Sequence, residues 1–339
     1  MAQTQNGELH ASEHPDRFYN RVATLVGTTC VVWFFSEMYF LNEGAHFYAW
    51  SQRESVTSLL ANIPAVYGEL MLFYVFFVLW LLMAVAYFRV RTVWALTFAA
   101  LVCGWAIEGS IVPIMYHEMP MALLFPAATW HVVMNVIIGW WLLRKLITCA
   151  STPFVLGVFA IMGAWWSLWA TWFWPVGGGG TMEDYTLPMP PSDFSYVAWF
   201  SSLLLMIGYV LIDRYGGGAF TPGRKGTLAF FVLGSALTLL GSQVFAPIYF
   251  ALVGIAVFFL WCNKKVETRP NILSSFRGKA PLLNYLSVLA MPLVASALYL
   301  VWYHHSISLN QYHGFVLWPF ILASMLFIGY SGYRVLRRA

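Results

Sequence analysis

Four ionisable side chains lie inside long apolar stretches of this chain, one on each of the first four: Glu37, Glu69, Glu108 and His131. A charged group in a bilayer is costly, so such residues face the protein interior and pair with one another. Counted along their stretches at 1.5 Å per residue, all four sit roughly 7 to 15 Å below one membrane surface. Asn135, four residues beyond His131, shares its helix face. Just above this layer lie Glu43 and His46 (EGAH), then His117 and Glu118 at the end of the third stretch. His304, His305 and His313 fall between the last two stretches and read as solvated loop residues, while His10 and His14 belong to the N-terminal tail.

Carboxylates and imidazoles on adjacent helices are the ligand set of di-iron and di-manganese centres. They also suit copper or a single non-haem iron. A cation would offset the repulsion of carboxylates in one buried layer. The leading expectation is a metal-dependent (iron or copper) oxidoreductase acting on a lipophilic or small apolar substrate near the outer face. Its ligands would come from Glu37, Glu69, Glu108, His131, His46 and His117, with Glu69 and Glu108 catalytic and a redox partner or membrane complex supplying electrons.

Three other readings use the same residues. In a metal-free cyclase or hydratase of isoprenoid-type lipids, Glu108 is a buried acid and aromatic rings steady a cation. In a proton-coupled transporter, Glu69, Glu108 and His131 form a relay, although the half after residue 150 offers little buried charge to continue it. The fourth reading is a subunit of a membrane complex. On the plainer side, Glu69 accepts a bond from a neighbouring Ser or Tyr, and His131 with Asn135 anchors one helix to another. Asp193 and Asp213 mark the start and stop of the sixth stretch. The cysteines at 30, 103, 149 and 262 form no CxxC pair and read as small hydrophobes.

The elements that must position these groups are membrane helices. Of 339 residues, 60% are hydrophobic and 9% charged, with a mean hydropathy of +0.69. A water-soluble surface needs roughly 25% charged residues, so the excess apolar surface faces lipid. Ten stretches approach the ~20 residues a crossing requires: 22–42, 62–88, 92–116, 121–143, 153–175, 194–213, 226–243, 246–262, 283–303 and 315–333. The seventh and eighth share one run broken near Gln243 and Pro247. Arg and Lys cluster in every second connection, and the alternate ones hold only Arg53. That asymmetry puts both termini in the cytoplasm.

The expected fold is therefore an all-α, polytopic transmembrane bundle of about ten spans. Residues 1–21 form a cytoplasmic tail without the layout of a cleavable signal. Residues 22–339 form a single domain, with the site-bearing spans in 22–148 and a second half in 149–339. No basic or acidic run suggests nucleic acid. A bacterial plasma membrane is the expected setting, and membrane lipid the expected neighbour.

Overall fold

A computed structural model describes residues 18–40, 68–111, 114–117, 119–172, 174, 189–216, 220, 223–264, 272–273 and 280–337; for 69, 114, 224, 264 and 311 only the backbone is described. The described residues are all helical, without strands, and eight helical stretches are long and apolar enough to cross a membrane. The chain is thus a multi-pass membrane protein. Its helices are α1 (Phe18–Trp33), α2 (Glu69–Tyr87), α3 (Val93–Ala106), α4 (the wide π-helix Trp130–Leu143), α5 (Thr152–Trp169) and α6 (Pro191–Val210). They continue with α7 (Arg224–Ser242), α8 (Ala246–Lys264), α9 (Ala290–His304) and α10 (His313–Leu336).

Local chemistry starts these helices where it should. Thr92, in an extended conformation, caps α3 by accepting a bond from the Ala95 amide at 3.3 Å. Prolines in the first turn open α5 and α6, where a missing N–H costs nothing. Hydroxyls within the apolar helices can bond back to the carbonyl four residues earlier, as Thr24, Thr29 and Ser201 do, which satisfies those donors without water.

Helix α3 is the centre of the bundle: 89% of its stretch, Val93–Ile111, is buried, against 17% for α10. Phe315 on α10 and Val244 beside α7 are about four-fifths exposed, as lipid-facing side chains are. Helices α1 and α6 cross at Gly27 and Gly208, where a Cβ on either would lie within 3 Å of the other's carbonyl oxygen. Such close approach of backbones is how small residues join helices in lipid.

Helices α7 and α8 form one apolar stretch, Lys225–Asn263, interrupted by a 3-10 turn at Gln243–Phe245 with Gln243 at φ 45°. The chain reverses there. Ser242 bonds the Gly109 and Ser110 carbonyls, Phe245 stacks on Tyr116, and α8 then runs back along α3, with Phe259 on Phe98 and Asn263 donating to the Phe88 carbonyl. Helix α1, expected to begin at residue 22, begins at Phe18 and is not among the eight stretches, although Gly27 to Trp33 are all buried.

Two expected boundaries are corrected. The fourth span does not end at 143, because helix continues through Arg144–Cys149. The sixth continues past Val210 through the π turn Leu211–Gly216, so Asp213 lies inside it and does not merely mark its end. Both spans were cut short at their first charges, which the fold buries against each other.

Candidate functional site

The buried ionisable groups share an unusual backbone. Ser36 and Glu37 sit on the π turn Phe34–Met38 that extends α1, and Glu108 on the π turn Ile107–Ile111 that extends α3. His131 and Asn135 sit on α4, which is π-helical over 14 residues. A π turn pulls carbonyls off the α-helical ladder and frequently occurs at functional sites. Here side chains from elsewhere capture those carbonyls. Trp130 donates to Phe35 O at 2.9 Å, and Trp166 to Met38 O at 3.1 Å. Tyr116 donates to Gly109 O, and Tyr209 to Gly139 O at 2.8 Å. The wide turns are thus held in place by bonds of about 1 kcal/mol each.

At the centre, Glu108 Oε1 lies 2.7 Å from His131 Nε2. On the other side of the ring, Nδ1 lies 2.9 Å from Ser36 Oγ and 2.8 Å from Asn135 Nδ2. Asn135 Nδ2 also donates to Ser36 Oγ at 3.1 Å. Next to Ser36 in the chain, Glu37 Oε1 accepts from the Tyr74 hydroxyl of α2. Four helices therefore contribute to one sealed polar network: His131 is 2% exposed, Glu108 5%, Glu37 6% and Asn135 0%. Gly104 makes the central contact possible. A Cβ there would meet Ala127 O at 2.4 Å and His131 Cβ at 3.1 Å, so only glycine lets α3 bring Glu108 this close to α4.

With Asn135 turned as it is, its N–H points at Nδ1, an orientation that fits a ring accepting at Nδ1 and carrying its proton on Nε2 toward Glu108. Asn135 Oδ1 is buried with no hydrogen-bond partner among the described residues. Rotating that amide by half a turn would aim Oδ1 at a protonated Nδ1. The Glu108–His131 pair would then hold one more proton, shared between Nε2 and the carboxyl, with every imidazole N–H still satisfied.

Of the six expected ligands, Glu37, Glu108 and His131 are thus gathered into one network, His131 and Glu108 in direct contact. His117 is exposed. His46 and the side chain of Glu69 lie outside the described residues, as do Glu43 and Glu118. Among the described residues no three His, Cys, Asp or Glu side chains are grouped to hold a metal ion. Ser36 and Tyr74 belong to the network without having been singled out in the sequence. His304 and His305 are exposed, and His313 stacks on Trp172 with centroids 5.2 Å apart.

A second buried polar site lies at the far end of α4. Arg144 donates through Nε and Nη2 to the same oxygen of Asp213, at 3.1 and 2.8 Å, and both side chains are at most 1% exposed. The Arg144 guanidinium also lies 5.0 Å over the Trp140 ring. Neither residue was expected inside the bundle. Comparison of the chain with protein-family models, with curated proteins and with solved structures finds no match in any of the three.

Proposed function

We propose that this is an integral membrane enzyme in which the Glu108–His131 pair gives and takes a proton on a lipophilic substrate, without a metal. One observation carries the reading: Glu108 and Asn135 engage opposite nitrogens of the buried His131 ring while Asn135 Oδ1 has no partner among the described residues, so rotation of that one amide would let the chain take up a further proton. Both imidazole nitrogens are engaged by protein groups, which favours acid–base work over metal ligation for His131. Aromatic rings beside the pair suit a substrate that becomes cationic when a double bond is protonated. Trp130, next to His131, has Phe40 at 4.5 Å and Trp169 at 5.2 Å between ring centroids. In such a step the Glu108 proton forms a C–H bond with the double-bond electrons. The cation is then quenched by loss of a neighbouring proton or by addition of water. The working setting is a bacterial plasma membrane with both termini in the cytoplasm, about ten spans, and the site in the outer half.

A second reading, proton-coupled transport, draws on a different observation. Buried polar groups continue along α4 from Asn135 through Trp140, bonded to Thr28 Oγ1 at 3.1 Å, to the Arg144–Asp213 pair. This supplies the continuation toward the other face that the sequence lacked.

The test combines metal analysis with infrared difference spectra across a pH jump on protein purified without chelators. The proposal expects substoichiometric metal and a carboxyl signal that disappears in Glu108→Gln and shifts in Asn135→Leu. Iron, copper or manganese near one per chain, lost in both Glu108→Ala and His131→Ala, would overturn it in favour of the metal-dependent oxidoreductase. Proton flux into liposomes that is abolished by Glu108→Gln would favour the carrier.

A further inference from the structure

The central helix carries a groove where it faces α8 and α10. It has a volume of about 460 Å³ and is lined by α3, the segment before α4, α8 and α10, a size within the range of ligand sites. Its wall includes Phe98, Trp105, Ala128, Phe259, Gly329 and Tyr333, and Tyr333 supplies its one hydroxyl. Along α10 it runs from Met325 to Leu336, about 16 Å at the helical rise. Its rim faces outward, since Ile255, Tyr333 and Leu336 are about half exposed. The shape is that of one hydrocarbon chain laid against the bundle.

The two ends of the groove differ. At one end, Trp105 and Ala128 are each three residues from the reacting pair, Glu108 and His131, beside the Gly104 crossing. At the other, Arg334 lies in the last turn of α10 and Arg337 is its C-cap residue. Arg337 follows Tyr333 by four residues, on the same helix face, and is exposed. Arg334 is braced over the rings of Trp94 and Tyr330, at 5.2 and 5.7 Å, and donates to the Tyr330 hydroxyl at 2.9 Å. Neither forms an ion pair among the described residues.

From this charge at one end and apolar wall along the rest, we infer that the groove binds the chain of an anionic phospholipid-like molecule. Its phosphate lies at Arg337, and the far part of its chain is directed to Trp105 and Ala128. As an assignment of substrate class this rests on the acid–base reading above; as a binding site it stands on the groove alone.

Native mass spectrometry in mild detergent tests it, with phosphatidylglycerol and phosphatidylcholine of identical chains as probes. A Cβ at Gly329 meets nothing within 4 Å, so Gly329→Phe fills the groove without a backbone clash. Wild type is expected to retain one phosphatidylglycerol in preference to phosphatidylcholine. Gly329→Phe, with unchanged thermal stability, loses it. Arg337→Gln weakens the preference about fivefold, the usual effect of one basic residue near an anionic headgroup. Arg334 is held on the other face by Trp94 and Tyr330, and Arg334→Gln has a smaller effect. Glu108→Gln binds as wild type does. Unchanged binding in Gly329→Phe would overturn the site, and equal retention of both lipids by wild type would overturn its anionic specificity. Because the readout is binding, loss of the Glu108 carboxyl signal and loss of lipid report separately on the two proposals.

Discussion

Helix α4 carries buried polar groups at both ends, and the two ends hold them in different ways. At Arg144, a guanidinium meets the Asp213 carboxyl group in a two-bond contact with almost no exposed surface. At His131, a titratable ring lies between a carboxylate, a hydroxyl and an amide, each able to change its proton or its orientation. The first arrangement is one direct contact between a guanidinium and a carboxyl group. In the second, a half-turn of the Asn135 amide would exchange an N–H for an oxygen at the ring. The two ends are equally buried and differ in what their polar partners can do.

The largest test of this contrast removes a partner at the fixed end. Arg144→Ala leaves Asp213 buried without its counter-ion and is expected to destabilise the fold by about 3–5 kcal/mol. Replacing both partners by apolar residues, Arg144→Met with Asp213→Leu, should recover most of that loss. Unfolding in mixed micelles measures both. If the double variant were as unstable as the single one, the pair would have a role beyond neutralising itself, and the carrier reading would gain.

A middle-sized effect is expected at the crossing that assembles the other end. Gly104→Ala places a methyl 2.4 Å from Ala127 O, and overpacking of that kind costs about 1–3 kcal/mol. The strain falls where α3 meets α4, so the Glu108–His131 contact should lengthen and the pH-dependent carboxyl signal weaken. Gly157 on α5 provides the control: a Cβ there meets nothing within 4 Å, and Gly157→Ala should change neither quantity.

Much of this architecture is legible in the composition and the apolar runs, because lipid imposes one requirement on every span. The common depth of Glu37, Glu108 and His131 was legible for the same reason: rise per residue converts position into height. Their angular positions were not. A side chain's direction follows from 3.6 residues per turn only while the helix is α, and all three stand on π-helical backbone. Ser36 and Tyr74 gave no signal, since hydroxyls in membrane helices ordinarily bond their own backbone, as Thr24 and Ser201 do here. Arg144 was placed outside the bundle because hydropathy ends a span at a charge and cannot register a partner 69 positions away.

The smallest effect draws the sharpest line between the two ends, because the same chemical change is made at each. Glu108→Gln keeps the shape of the side chain and an oxygen able to accept the Nε2 proton of a neutral His131. It removes one charge and leaves none unpaired, so its cost to stability should be no more than about 1 kcal/mol, that of one hydrogen bond. Asp213→Asn also keeps an acceptor for Arg144, but it leaves a guanidinium buried without a counter-ion and should cost several times more. Parallel unfolding curves of the two amide variants decide the matter. A small loss at 108 beside a large one at 213 means that the central pair is not held together by its charge, as a site that exchanges protons requires. Equal and large losses would mean that Glu108 and His131 form a second fixed ion pair, and the acid–base reading would fall with the distinction.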